Sequence, residues 1–470
     1  MDKKYFVTTP IYYVNDVPHI GHAYTTLAAD IIARYQRLIL GEENVFYLTG
    51  TDEHGQKIAE SAKKAGQTPK EFADSVSPAF KKAWDSLNIK PDFFIRTTDP
   101  NHEKVASELL QKIYDSGYIY EGEYEGLYCV GCEKFLTESD LIDGKCPLHP
   151  NAEPEYQKEK NYFLKLKELS KIVLSKIESD EYQILPEGRK KEIVSRLREG
   201  VEDISISRAG VSWGIPVPWD NTQTIYVWVE ALMNYYSASQ FVENKKEFWP
   251  ADLHLLAKDI LWFHSVIWQA LLIAAGLPLP KTIFAHGFFT LNGQKISKSL
   301  GNTIAPKEFV ERYGVDGARY LLISAVAFGN DGDVNLSELD KKYNADLANG
   351  LGNLVARVAK LCENENLNGQ KISQDFYDDV VISFDNFRPD LALSNIWEKI
   401  SVADQIISQE KPWEIEDKND LKEKLERYVT NILVVAYNLK PFLPETSDKI
   451  LKQFSAEKIK SDKPLFPRLK

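Results

Sequence analysis

The sequence predicts an α/β protein: a Rossmann-type parallel-sheet body, interrupted by an insertion and followed by an α-helical bundle. Three observations carry that prediction. Over residues 1–117 short apolar runs alternate with runs of helical period, the grammar of βαβ units. At Tyr118 the alternation stops, giving way to a stretch rich in Gly, Tyr and Glu and then to three cysteines, and it resumes near Ser207. From Tyr343 onward apolar residues recur at helical spacing, with Leu347, Leu351, Leu354 and Val355 on one face. The expected segments are 1–117, 118–206, 207–302, 303–345 and 346–470.

Within the first segment, residues 5–9 read as a strand and 24–40 as a helix closing at Gly41. A second strand over 44–49 runs into the polar cluster Thr51, Asp52, Glu53, His54 and Gly55. In parallel sheets ligand-binding groups collect at the carboxyl ends of strands, so this cluster is a candidate site. After the insertion, strands are expected over 224–228, 254–257 and 282–285, with a long helix over 259–275 between the last two. That helix carries His264, Ser265 and Gln269 and falls short of the roughly 20 apolar residues that span a bilayer. It reads as a buried helix, and the chain as soluble, cytoplasmic and without a membrane partner. Met1 to Lys4 leads straight into a strand, so no targeting segment is expected. Bundle helices are expected near 389–410, 420–438 and 443–455, punctuated by Pro412, Pro441 and Pro444.

The net charge of −12 argues against a general affinity for nucleic acid. Local balance differs: lysine and arginine outnumber carboxylates over 411–470, and Arg189, Lys190, Lys191, Arg196 and Arg198 form a basic run. The composition permits an RNA partner without predicting one.

Two short segments point to phosphate. Pro18-His19-Ile20-Gly21-His22 places two imidazoles and a glycine where the first strand gives way to a helix. Helix-start amides and imidazoles can both bond phosphate oxygens, and a missing Cβ at Gly21 allows close backbone approach. The plain alternative is that His19 and His22 simply cap the helix. Lys295-Ile296-Ser297-Lys298-Ser299 follows the turn residues Asn292 and Gly293 and offers two ammonium groups. Alone it is an ordinary solvated loop; with the first segment it suggests a nucleoside triphosphate gripped from two sides.

Cys129, Cys132, Cys146 and His149 form C-x2-C-x13-C-x2-H. Two tight pairs joined by a loop suit tetrahedral Zn²⁺, and four protein ligands close the shell, which implies a structural ion. A reduced or disulfide-bonded set without metal is the alternative. Cys362 stands alone in a helical run and reads as core packing.

Taken together, the His and Lys segments resemble the "HIGH" and "KMSKS" signatures of the class I aminoacyl-tRNA synthetases, with Ile296 where Met is common. The remainder is similar, over essentially the whole length, to the methionyl-tRNA synthetase family in its bacterial form with one zinc knuckle. The residues that carry this are 7–15 (Val-Thr-Thr-Pro-Ile-Tyr-Tyr-Val-Asn), 49–55 (Thr-Gly-Thr-Asp-Glu-His-Gly), 204–208 (Ile-Ser-Ile-Ser-Arg) and 226–231 (Tyr-Val-Trp-Val-Glu-Ala).

The resemblance implies activation of methionine with ATP and Mg²⁺, then transfer to tRNA(Met), the initiator included. It implies catalytic roles for His19, His22, Lys295 and Lys298, and ATP binding by these with Gly21 and Ser297. It implies a methionine pocket of Ile11, Tyr13, Asp52, Trp228, Ala231, Leu232, Tyr235, Ile260 and His264, with Asp52 on the α-ammonium. One structural Zn²⁺ is implied on Cys129, Cys132, Cys146 and His149. Anticodon reading is implied for Asn349, Asn353 and Arg357, four apart and so on one helix face, and for Trp413 by stacking. The plain alternatives are core packing for Trp228 and Tyr235 and buried packing amides for Asn349 and Asn353. Glu230 stands where the family usually has Asp, which leaves its role open. Many family members carry a further C-terminal dimerisation domain that this sequence lacks, so a monomer is expected. An isoleucine, valine or leucine enzyme would need a large editing domain, because one methylene in an apolar pocket discriminates only about 10 to 200-fold. The insertion at 118–206 leaves no room for one.

Overall fold

The computed structural model describes residues 3–15, 17–131, 134–136, 141–147, 152–291, 293–295 and 303–469. The chain divides into two compact units. The first comprises Met1–Pro18, Glu42–Lys82 and Pro91–His286; the second comprises His19–Gly41, Ala83–Lys90 and Gly287–Lys470.

The first unit is built on a six-stranded sheet of β1 (Tyr5–Tyr13), β2 (Val45–Asp52), β3 (Phe93–Arg96), β4 (Gln183–Leu185), β5 (Leu253–Ala257) and β6 (Thr282–His286). All its pairings are parallel, in the order β3-β2-β1-β5-β6-β4. Phe6, Phe46, Leu48, Leu255 and Ile283 are wholly buried, as expected for a sheet covered on both faces. Strand order reverses on either side of β1, and such a switch point opens a crevice beyond the strands' carboxyl ends. Tyr13 and Asp52 close β1 and β2 there, and Ile260 and His264 follow β5.

Pro10 has no amide to donate, and the β1–β2 register slips by one residue between Thr8 and Ile11. The slip re-aims Ile11 and Tyr13 relative to the first half of the strand. Gly50 is required opposite, since a Cβ there would lie 2.0 Å from the carbonyl oxygen of Ile95.

The expected insertion holds its own antiparallel sheet, in which Ile119–Cys129 pairs along its length with Glu155–Leu164. The main sheet resumes earlier than the sequence pattern suggested. β4 lies inside 118–206 and pairs with β6, but three residues are too few to show a strand period. The strand expected at 224–228 is instead Asp220–Ile225, part of a small separate sheet with Ser207–Arg208 and Pro216–Val217. A six-residue helix, Val227–Leu232, begins directly after it.

The second unit begins with α1 (Ile20–Leu40), four residues longer at its start than the sequence reading. Its bundle contains Asn353–Asn364, Asp378–Asp385, Pro389–Glu410, Lys418–Leu439 and Pro444–Phe454. Tyr35 of α1 stacks face to face on Phe384 at 3.9 Å between centroids. Cys362 is buried in this core, which pushes its thiol up to about 12. Among the described residues no helix is long and apolar enough to cross a membrane.

A buried arginine ties three stretches of this unit together. Arg319 donates to the carbonyl oxygens of Leu87 (3.0 Å), Pro441 (2.9 Å) and Phe442 (2.7 Å). Its Nη2 also lies 2.8 Å from Asp30 Oδ2, and both side chains are fully buried. Asp30 accepts in turn from Arg34 Nε (2.6 Å) and the Lys90 amide (2.9 Å). Removing one partner of a buried, hydrogen-bonded ion pair leaves a charge unmatched at a cost of roughly 3–5 kcal/mol. Asp30→Ala is therefore expected to lower the unfolding free energy read from the bundle signal in chemical denaturation by a corresponding amount. Arg319→Met, which also removes the donors to Leu87, Pro441 and Phe442, should destabilise as well, and the two losses should be strongly non-additive in the double variant.

Candidate active site

The start of α1 caps itself. His19 is the N-cap, in extended backbone, and its Nδ1 accepts from the Gly21 amide at 3.1 Å. His22 returns the bond, its Nδ1 accepting from the His19 amide at 3.3 Å. This is a capping box made of two imidazoles, whose rings stack at 3.9 Å. Burial, helped by His19, holds His22 well below the usual imidazole range, so the ring is neutral. A neutral ring that accepts at Nδ1 carries its proton on Nε2 and presents an N–H donor to a ligand.

The capping and phosphate readings of these histidines are thus compatible, but the amides need a correction. The Ile20 amide donates to Ile304 O (3.0 Å), and those of His22 and Ala23 to His19 O (3.0 and 3.1 Å). With Gly21 engaged by His19, the helix-start donors assigned to phosphate already have partners. Gly21 also has a local reason: a Cβ there would lie 2.9 Å from His19 Cε1.

Both flanks of the lysine segment reach this helix start. Phe289, in the strand Phe289–Leu291, packs on Tyr24 of α1 at 4.1 Å, and Ile304 accepts from Ile20. The hairpin Phe289–Leu291 with Gln294–Lys295 turns at Gly293, which has φ +75°. Asp333 fixes that turn by accepting from the Gly293 amide (2.6 Å) and Thr290 Oγ1 (2.7 Å). Lys295 closes the hairpin. Ser297 and Lys298 lie outside the described residues.

The nine residues expected around methionine all belong to the first unit. Ala231, Leu232, Tyr235 and His264 are buried; Ile11, Tyr13, Asp52, Trp228 and Ile260 are half-buried. Trp228 stacks on Phe263 at 4.0 Å and 14°, a partner the sequence reading missed. The helix expected at 259–275 contains a π turn, Phe263–Ile267, which sets His264 in place. Burial pushes His264 down to about 4. The neutral ring donates from Nδ1 to Ile260 O (2.9 Å), so Nε2 accepts from the Tyr235 hydroxyl (2.7 Å). The result is a set of apolar and aromatic side chains with one oriented hydroxyl.

Beside it, the segment 51–55 is held on every side. Tyr13 donates to His54 O (3.0 Å), and the Trp213 indole N–H to Glu53 O (2.7 Å). Arg96 donates to both oxygens of the buried Glu53 (2.6 and 2.8 Å). The His54 side chain meets Glu230 Oε1 at 2.9 Å and Glu103 Oε1 at 3.7 Å. Burial alone would lower the His54 pKa. The Glu230 charge, bonds to Glu103 and Glu230, and the Asp52 charge outweigh it and push it up to about 10. His54 stands within the 49–55 segment, but its partners Glu103 and Glu230 are too far along the chain to leave a local signal in the sequence.

Cys129 and Cys146, one from each expected metal pair, are both buried in one small cluster with Leu136. Cys132 and His149 lie outside the described residues. Among the described residues no group of three or more His, Cys, Asp or Glu is placed to hold a metal. In the bundle, Asn349 and Asn353 are exposed, which removes the packing-amide alternative. The helix there runs through a π segment, Tyr343–Gly352, before turning α-helical at Asn353. Arg357 donates to Asp404 Oδ1 (2.8 Å) and its carbonyl (3.2 Å). Trp413 is 55% exposed on the turn Pro412–Glu414, which follows Lys411 in the left-handed region.

The family described as "tRNA synthetases class I (M)" matches residues 5–153 and 141–359. The methionine–tRNA ligase of Caldanaerobacter subterraneus subsp. tengcongensis is 41% identical over 96% of this chain and 74% of its own length. That of Nostoc sp. is 40% identical over 96% and 90% respectively. The solved structure of Mycobacterium tuberculosis methionyl-tRNA synthetase in complex with methionyl-adenylate superposes with a TM-score of 0.90. It shares 35% identity and covers 99% of this chain and 100% of that one. The chain belongs to the class I tRNA synthetases, and within them to the methionine–tRNA ligase family.

A pH prediction follows from His54. Its folded pKa lies above the ordinary value of 6.5, so its stabilisation is complete below 6.5 and is lost as pH rises through about 10. The melting-temperature gap between wild type and His54→Gln is expected to be widest near pH 6 and to shrink steadily towards pH 10.

Proposed function

We propose that the chain activates methionine with ATP to methionyl-adenylate and pyrophosphate, then transfers methionine to the terminal adenosine of tRNA(Met). The supporting observation is the match to methionine–tRNA ligases over nearly the whole length of the chain, with Trp228 stacked on Phe263 and Tyr235 bonded to His264 in the same unit. The methionine carboxylate, with a reference pKa near 3.5, is ionised at neutral pH and needs no base. It attacks the α-phosphorus in line, and pyrophosphate leaves.

In this reading Asp52 holds the α-ammonium, with Ile11, Tyr13, Trp228, Ala231, Leu232, Ile260 and the Tyr235–His264 pair around the side chain. His19 and His22 donate from Nε2 to the triphosphate, and Lys295, Ser297 and Lys298 supply further donors and positive charge. Mg²⁺ accompanying ATP supplies countercharge to the leaving pyrophosphate. Catalysis of this activation step is then positioning and charge stabilisation, without proton transfer to a side chain; in the transfer step a ribose hydroxyl gives up its proton as it takes the methionyl group, and AMP leaves.

Cys129, Cys132, Cys146 and His149 would hold one Zn²⁺ as a closed, structural shell, which lends stability to a segment with little apolar content. Residues 346–470 read the anticodon of tRNA(Met), initiator included, through Asn349, Asn353, Arg357 and Trp413. The exposed indole of Trp413 supports this, since unpaired bases are held by stacking.

ATP–pyrophosphate exchange with each of the twenty amino acids tests the reading. Methionine alone should support rapid exchange; a better substrate would overturn it. Lys298→Ala is expected to slow that exchange by about 10²–10³-fold with methionine affinity little changed. Loss of one stacked base is worth about 1–3 kcal/mol, so Trp413→Ala should cut aminoacylation by about 10 to 100-fold and leave exchange intact.

A further inference from the structure

Glu230 is wholly buried, and the mechanism above does not use it. Its neighbours on the helix Val227–Leu232 are Trp228, Ala231 and Leu232, which line the proposed methionine slot. The two oxygens of Glu230 run to two other stretches of the first unit. Oε1 meets His54 Nδ1 at 2.9 Å, and Oε2 meets His102 Nε2 at 3.0 Å.

Each imidazole is anchored in turn to the pocket's surroundings. His54 lies two residues past Asp52, and its carbonyl accepts from Tyr13. His102 bonds through Nδ1 to Ser237 Oγ (2.7 Å), on the helix Asn234–Phe241 that carries Tyr235. One buried carboxylate thus joins the stretch bearing the ammonium-binding aspartate to both helices bearing the side-chain slot.

We propose that Glu230 is a specificity-determining positioning residue: by bridging His54 and His102 it fixes the distance between Asp52 and the Trp228–Tyr235 slot, and so the length of amino acid accepted. The inference rests on reading this pocket as the methionine site. A buried carboxylate cannot drift, because leaving either imidazole costs the full desolvation of the unpaired groups. Its reach is also discrete, since one methylene changes it by about 1.5 Å. A misplacement of about 1 Å at a reacting centre can cost about 10²-fold. The His54 imidazolium favours the ionised carboxylate, and Glu230 is held below the usual carboxylate range despite its burial.

The test is pyrophosphate exchange with methionine and with its S-ethyl homologue, one methylene longer, at saturating and varied ATP. Glu230→Asp is expected to raise the methionine KM about 10-fold while the ATP KM stays put, and to lower the methionine-over-homologue preference in kcat/KM about 5-fold or more. Glu230→Gln and His54→Gln keep volume but lose the charge pair, and their effects on methionine KM should be strongly non-additive in the double variant. Should Glu230→Asp fold poorly, His54→Gln carries the same selectivity measurement. Unchanged preference, or methionine and ATP KM rising together, would overturn the proposal. Asp52→Asn and Trp228→Ala separate the two levels: if they raise the methionine KM and the Glu230 variants do not, only the proposal falls. If none does, the pocket reading falls with it.

Discussion

The backbone donors at the start of α1 are already engaged, and that constraint shapes the proposed ATP site. His19 and His22 cap the helix with their Nδ1 atoms, and Ile304 takes the amide of Ile20. A helix start ordinarily offers orphan amides to an anion. Here the same residues that satisfy those amides accept through Nδ1, which puts the proton of a neutral ring on Nε2, the atom that the proposed function aims at phosphate. The bond to Ile304 and the contact of Tyr24 with Phe289 further bind the helix start to both flanks of the lysine segment. Local capping and long-range assembly are one arrangement in this unit.

Buried charge does comparable work elsewhere. Arg319 with Asp30, Glu53 with Arg96, and Glu230 with His54 each join stretches far apart in sequence. Buried ion pairs contribute little net stability against well-packed apolar groups, but breaking one is costly. They therefore act as registration devices, and two of the three are made by residues within 51–55. The aspartate proposed to hold the substrate ammonium, Asp52, sits within that segment.

Much of this was legible in the sequence, for identifiable reasons. β1, β2 and α1 show strong periodicity, and the bundle helix at 389–410 matches the observed Pro389–Glu410. The paired His and Lys segments and the Cys pairs are spaced motifs whose chemistry can be read without coordinates. What escaped was either short or non-local. β4 has three residues, and the strand misplaced at 224–228 sits beside a helix with equally apolar residues. The π turn at Phe263–Ile267 leaves no mark in a helical pattern, yet it positions His264. His102 meets Glu230 across 128 residues, a pairing no local rule can anticipate.

The most direct test of the self-capped helix is a crystal structure of the chain with a non-hydrolysable ATP analogue. Triphosphate oxygens within hydrogen-bond distance of Nε2 of His19 and His22, with the Gly21, His22 and Ala23 amides still bonded to His19, are the predicted result. Phosphate seated on those amides, with the two rings swung out of the capping box, would contradict it.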